Sequence, residues 1–223
     1  MDVQLDFIRS LPYFSGLEKD ELAAVGKYFF NRTAERGEII LFEDEPAEAL
    51  YFVVSGVVKV YKTSAEGKEQ ILCLARPGES FNDMPVFGNG RNVANVEALG
   101  PVDLFGVKRE DFLIILRDYP LVGMNVIKVL SQRIEHLVSL VEDLSFRPVI
   151  GRVAKVLLEH AVDEAGRHPR LTQQEMAAIA GTAREVVGRA LKTMEEKGII
   201  GFDSHRLLVR DRKALAALAG VTD

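Results

Sequence analysis

The sequence predicts an α+β protein: a β-rich N-terminal part, one long helix, and a C-terminal winged helix-turn-helix. Three observations predict it. Short apolar runs separated by Gly and Pro fill residues 37–109. A heptad of aliphatic residues runs from Ile127 to Leu144. Two T-x-x-E pairs ten residues apart, Thr172/Glu175 and Thr182/Glu185, bracket Gly181.

Residues 3–10 and 17–30 read as short helices. The strand candidates that follow are Ile39–Phe42, Leu50–Val54, Val57–Lys62, Glu69–Leu74, Val93–Leu99 and Val102–Lys108. Many short strands with regular turns predict a sandwich or barrel. A helix of roughly Leu121–Ser145 comes next. Ile127, Leu130, Ile134, Leu137, Val141 and Leu144 alternate spacings of three and four, with β-branched residues at a and Leu at d. That pattern favours a parallel two-stranded coiled coil. Val126, Val129, Val138 and Leu140 widen the stripe, so a second face can pack on the chain's own core. Pro148 forces Arg147 into extended geometry and suits the first turn of a new helix, 148–161. The expected divisions are residues 1–120, 121–146 and 147–223.

In the C-terminal part, each T-x-x-E predicts a capping box that starts a helix. Gly181 supplies the turn between them, and Gly198 ends the second helix, expected over 183–197. Such a pair places its second helix in the DNA major groove. Arg184, Glu185, Gly188 and Arg189 share one face of it. Arg can offer paired donors to guanine, and Glu can accept from cytosine N4. Gly188 costs about 1 kcal/mol relative to Ala in a helix interior, which close approach to a groove would explain. The competing reading is a solvated face with a Glu185–Arg189 pair. Thr172, Gln173 and Thr182 complete the expected DNA-facing set. Ile199–Phe202 and Arg206–Val209 predict a hairpin wing, with His205 or Arg206 able to touch phosphate. Residues 212–219 read as a terminal helix.

Arg184–Arg189 (R-E-V-V-G-R), preceded by Leu171–Glu175, resembles the helix-turn-helix of the cyclic-AMP receptor protein/FNR (CRP/FNR) family of bacterial transcription regulators. The likeness continues through Gly37–Ile40, Leu50–Gly56, Pro77–Glu79, Leu144–Phe146 and Gly151–Val153. It implies that the strands form a β-roll, a cyclic-nucleotide-binding-type jelly roll that senses a signal. It also implies a homodimer on the long helix, RNA polymerase as a partner, and palindromic double-stranded DNA with TGTGA-like half-sites.

Members that bind cyclic AMP carry G-E-x-x-L followed by R-S/T-A. Here Asn82-Asp83-Met84 replaces the first segment, and Asn92-Val93 falls where Arg-Ser or Arg-Thr is expected. Arg91 is one residue early, which on a strand reverses its facing. The adenine-contacting positions fall at Leu137 and Val138, neither of which can hydrogen-bond a purine. The resemblance thus argues against cyclic nucleotide. It leaves an effector pocket of Asn82, Asp83, Met84, Phe87, Arg91, Asn92, Leu137 and Val138, with Val86 adding to its apolar side. Haem sensing a gas such as nitric oxide or carbon monoxide, a nonpolar organic ligand, and a self-filled pocket all stay open. An iron–sulfur cluster needs several Cys ligands, and the chain has one, Cys73. Cys73 reads as a buried small hydrophobe rather than a haem ligand or redox thiolate. His136, at a c position, reads as exposed.

Composition narrows the class further. A single Cys fits a reducing, cytoplasmic setting. No apolar run reaches the roughly 18 residues of a membrane span, so no membrane partner is expected. Residues 1–146 hold 15 Lys+Arg and 23 Asp+Glu, net −8, and residues 147–223 carry +3. An acidic module joined to a mildly basic one suits a DNA-binding tail. No G-x-S-x-G, Walker A or H-E-x-x-H motif supports an enzyme. Glu43, Asp44, Glu45 and Glu48 read as a solvated acidic turn. A β-roll adaptor without DNA function is the remaining rival.

Overall fold

A computed structural model of the chain describes residues 3–88, 90–160, 171–203 and 206–221; for Val3, Asp203 and Arg206 it describes the backbone alone. Packing divides the chain into two compact units, residues 1–62 with 73–136, and residues 63–72 with 137–223.

The first unit opens with helix α1 (Val3–Ser10), a 3-10 turn (Pro12–Phe14) and helix α2 (Lys19–Gly26). The expectation of one helix over 17–30 is corrected. Glu18 and Glu21 form the capping box that starts α2, but strand β1 (Phe29–Ala34) begins three residues after it ends. Leu22, Val25 and Phe29 keep helical spacing, which hides the change. Strands β2 (Ile39–Leu41), β3 (Ala49–Ser55), β4 (Val58–Thr63) and β5 (Glu69–Ala75) come next. Then follow β6 (Ser80–Phe81), helix α3 (Asp83–Phe87), β7 (Asn95–Ala98), β8 (Val102–Lys108) and helix α4 (Arg109–Asp118). β1, β6, α3 and α4 have no counterpart among the sequence-derived elements.

Two four-stranded sheets result, ordered β1-β8-β3-β6 and β2-β7-β4-β5. Neighbouring strands are mostly distant in sequence, as in a jelly roll. Strand alternation explains how the first sheet buries both faces. Leu50 and Phe52 of β3 join Phe29 and Val107 against Ile8, Tyr13, Phe14 and Phe112 from the helices. Ala49, Tyr51 and Val53 point the other way and pack with Ile40, Val58, Phe81, Val96 and Leu104. Tyr13, Phe14, Phe29 and Phe52 form an aromatic cluster whose contacting rings have centroids 5.5–6.5 Å apart.

Helix α5 (Pro120–Phe146) passes from the first unit into the second and agrees with its expected bounds to within one residue. One face, Val122 and Val126 with the half-buried Val129 and Leu130, packs on the first unit's core. Leu130 therefore packs in part on that core, as a stripe wide enough for two faces allows. The other seam residues are exposed in the single chain: Ile127 59%, Ile134 62% and Val141 63%, with Leu137 and Leu144 each 38%. No described helix is long and apolar enough to cross a membrane.

The helix stops at Phe146, and α6 (Val149–His160) starts after Pro148, as the proline requires. Helices α7 (Gln173–Ala180) and α8 (Arg184–Glu196), hairpin β9 (Ile200–Asp203)/β10 (Arg206–Val209) and α9 (Arg212–Ala219) complete the second unit. Val153, Leu157, Met176, Val187, Leu191, Met194 and Leu215 close its core. The wing's Ser204, His205 and Arg206 side chain, expected to reach phosphate, lie outside the described residues.

Candidate nucleic-acid interface and effector site

The helix-turn-helix is built by its ends. Thr172 Oγ1 accepts from Glu175 N at 3.2 Å, and Glu175 Oε2 accepts from Thr172 N at 2.5 Å. That capping box starts α7 as expected. Gly181 ends it at φ +62°, in the left-handed region. The second expected box is corrected. The N-cap of α8 is Ala183, with no side-chain cap bond. Thr182 N is occupied instead by the carbonyl of Ala177. The chain needs one more residue to leave the left-handed turn, which moves Glu185 from the third helical position to the second.

Val187, Ala190, Leu191 and Met194 bury one side of α8. The opposite side presents Arg184, Glu185 and Arg189, all exposed. Glu185 and Arg189 are i, i+4 neighbours, yet no salt bridge joins them, and neither Arg184 nor Arg189 has an ion pair among the described residues. A Cβ on Gly188 would make only ordinary contact, 3.7 Å from Gln173 Oε1. Packing within the chain therefore does not demand glycine there. Thr172 and Gln173 are exposed and Thr182 half-buried. The result is an open cationic face whose arginines form no ion pair among the described residues.

In the first unit, the segment expected to cradle an effector is tied to its own neighbours. Asn82 sits at φ +65° and its amide donates to the carbonyl of Ala49 (2.9 Å) and to Asn92 Oδ1 (3.0 Å). Asn92, buried, donates to the carbonyl of Phe42 at 2.9 Å. Arg91 donates to the carbonyl of Asp44 at 2.6 Å. Met84 and Phe87 are exposed, Val86 is core, and Leu137 and Val138 are exposed in the second unit.

Asp83 is 1% exposed. Tyr13 Oη donates to its Oδ1 at 2.7 Å. Arg133 of α5 is in ion-pair contact with Oδ2, which takes no other hydrogen bond. The same guanidinium donates to Ser80 Oγ at 2.9 Å and to the Ser80 carbonyl. Burial raises the Tyr13 pKa, outweighing attraction to Arg133. Sequence reasoning missed Arg133, Tyr13 and Ser80. The available signal was a charged g position in the heptad, which normally predicts a bridge to a partner helix. We expect Asp83→Asn, which strands Arg133 without its counter-charge, to destabilise the protein by about 1–3 kcal/mol, reduced from the fully buried case because Arg133 is partly solvated. Urea unfolding of the full chain checks this, and an unchanged midpoint would refute it.

Cys73 is exposed, which corrects the buried reading. Protein packed around it nevertheless penalises the thiolate and pushes the thiol pKa up, more than Arg133 lowers it. His136 is exposed, as expected. Glu43 pairs with Lys62, while Asp44, Glu45 and Glu48 are exposed.

At the α5–α6 junction, Asp143 accepts from Arg147 Nε at 2.7 Å and from Lys155 Nζ. Burial pushes its carboxyl up, but these two hydrogen bonds and their charges outweigh it and hold the pKa below the ordinary value. Arg152 donates to the carbonyls of Arg147 (2.9 Å) and Ala180 (2.7 Å), linking this junction to the end of α7.

Two family profiles match the chain: a cyclic nucleotide-binding domain over residues 31–119 and a Crp-like helix-turn-helix domain over 151–218. The chain is 32% identical to the cyclic AMP receptor protein of Thermus thermophilus, over 95% of this chain and 98% of that one. It is 30% identical to a CRP-like cAMP-activated global transcriptional regulator of Mycobacterium tuberculosis, over 92% and 95%. The structure of FixK2 from Bradyrhizobium japonicum superposes with a TM-score of 0.77 at 27% identity, covering 87% of this chain and 99% of FixK2.

Proposed function

The chain belongs to the CRP/FNR family of DNA-binding transcription regulators, and from that premise we propose that it acts as a homodimer reading a palindrome of TGTGA-like half-sites. The exposed Arg184–Glu185–Arg189 face beside Gly188, without an ion pair among the described residues, carries this reading. Arg184 and Arg189 take guanines and Glu185 takes cytosine or its neighbour. The stripe of Ile127, Ile134, Leu137, Val141 and Leu144, exposed in the single chain, is with the half-buried Leu130 the dimer seam. Two-fold symmetry then spaces the recognition helices about one duplex turn apart. RNA polymerase is the downstream partner.

The effector differs from the cyclic AMP named for the relatives. A cyclic phosphate needs a fixed, available guanidinium. Arg91 is bonded to the Asp44 carbonyl, and Asn82 and Asn92 to each other and to backbone. Whatever binds must prefer one arrangement of the dimer, since a ligand of equal affinity for both shifts nothing.

Selection from random duplex DNA by the purified full chain tests the proposal. The expected product is a two-fold palindrome with TGTGA-like arms, bound equally well with and without cyclic AMP. Failure to enrich any sequence would favour the adaptor reading. A large gain with cyclic AMP would overturn the effector assignment.

A further inference from the structure

The turn that launches the recognition helix is gripped at three consecutive residues by three separate stretches of chain. Gln70 Nε2 donates to the carbonyl of Ile179 at 3.3 Å. Arg152 Nε donates to the carbonyl of Ala180 at 2.7 Å. Leu144 covers Gly181: a Cβ there would lie 2.4 Å from Leu144 Cδ2 and 3.1 Å from Gln70 Oε1. Gly181 is thus required twice, by its φ of +62° and by lack of room. Helix α8 starts at Arg184, three residues on. Any rotation of this turn is therefore a rotation of Arg184 and Arg189.

Two of the three grips have a wider reach. Gln70 lies in β5, within residues 63–72, which pack as one unit with residues 137–223. The same two strands continue into the other unit through residues 58–62 and 73–75. Leu144 is the last d position of the proposed seam. Leu144 stays 38% exposed in this arrangement, but the methyl that covers Gly181 is not free to fill a hole on a partner helix. Docking of the turn and completion of the seam therefore compete for Leu144.

We infer that Gln70 is a positioning residue, a latch that holds the turn so that Leu144 is withheld from the seam, and whose release favours the DNA-binding dimer. This rests on the dimeric reading proposed above. The strands carrying Gln70 give a signal in the first unit a covalent route to the turn. Each protomer has one latch, so a dimer releases two.

The test uses the full chain without added effector. Affinity for the selected palindrome and the dimer dissociation constant are measured for wild type, Gln70→Ala and Gln70→Glu. The Glu variant keeps size but loses the donating amide. Both variants should bind DNA roughly fivefold tighter or more, the loss of two ordinary hydrogen bonds, and should dimerise more tightly, with base preference unchanged. In a Gln70→Ala/Leu144→Ala double variant the gain in dimerisation should vanish, which a purely structural role for Gln70 would not produce. DNA affinity unchanged or weakened by both single variants, beside a wild type that binds normally, overturns the latch alone. A wild type that binds no palindrome overturns the dimeric reader and the latch with it.

Discussion

Arg184→Ala is expected to weaken binding to the selected palindrome by roughly 30- to 20,000-fold while leaving the fold intact. The magnitude follows from symmetry. One bidentate arginine–guanine contact discriminates by about 1–3 kcal/mol. A dimer makes it twice, and distant sites add, giving about 2–6 kcal/mol. The fold should be unaffected because Arg184 is exposed and makes no ion pair among the described residues; surface changes of that kind stay within about 0.5 kcal/mol. The base preference should relax at one position in each half-site, while the dependence of affinity on salt keeps its slope. A uniform loss across sequences with a shallower salt slope would mark Arg184 as a phosphate contact and refute its base-reading role. Arg189→Ala should behave alike, at a different base pair.

That face was legible because its determinants are local. Thr172 and Glu175 cap α7 through bonds three residues apart, and Gly181 supplies its own left-handed turn. The same logic misplaced the start of α8. Thr182 and Glu185 have the right spacing, but the amide of Thr182 is already used by Ala177. A spacing rule cannot see that a residue has been recruited to the preceding turn. β1 was hidden for a different reason. Its exposure alternates only because Phe29–Ala34 pairs with Val102–Val107, some seventy residues away.

The effector segment shows where sequence runs out. Asp83 stood out as a departure from the cyclic-AMP cassette, yet nothing near it announced Arg133, fifty residues on. Asn92 stood out as a missing arginine. Its use, closing a network with Asn82 and the Phe42 carbonyl, depends on chain paths that only the fold defines. Long-range polar pairs of this kind leave no periodic trace.

Ile134→Glu should abolish the dimer without unfolding the chain, whereas Val126→Glu on the same helix should unfold it. The two residues lie on different faces. Val126 is 4% exposed and packs with Val122 and Phe112 in the first unit's core. Burying a carboxylate there without a partner is prohibitive. Ile134 is exposed in the single chain, so a glutamate at that position is solvated until a second copy arrives. In a two-fold seam each a residue meets its own copy. Two carboxylates would then face each other in an apolar interface, at a cost of roughly 3–5 kcal/mol, a hundred- to several-thousand-fold rise in the dissociation constant. Specific DNA binding should fall with it, because a monomer loses the second half-site and the effective concentration it provides. Sedimentation equilibrium and circular dichroism separate the outcomes. An Ile134→Glu protein that sediments as wild type would remove this face of α5 from the interface. A Val126→Glu protein that stays folded would mean that the packed face of α5 does not hold the helix to its own unit.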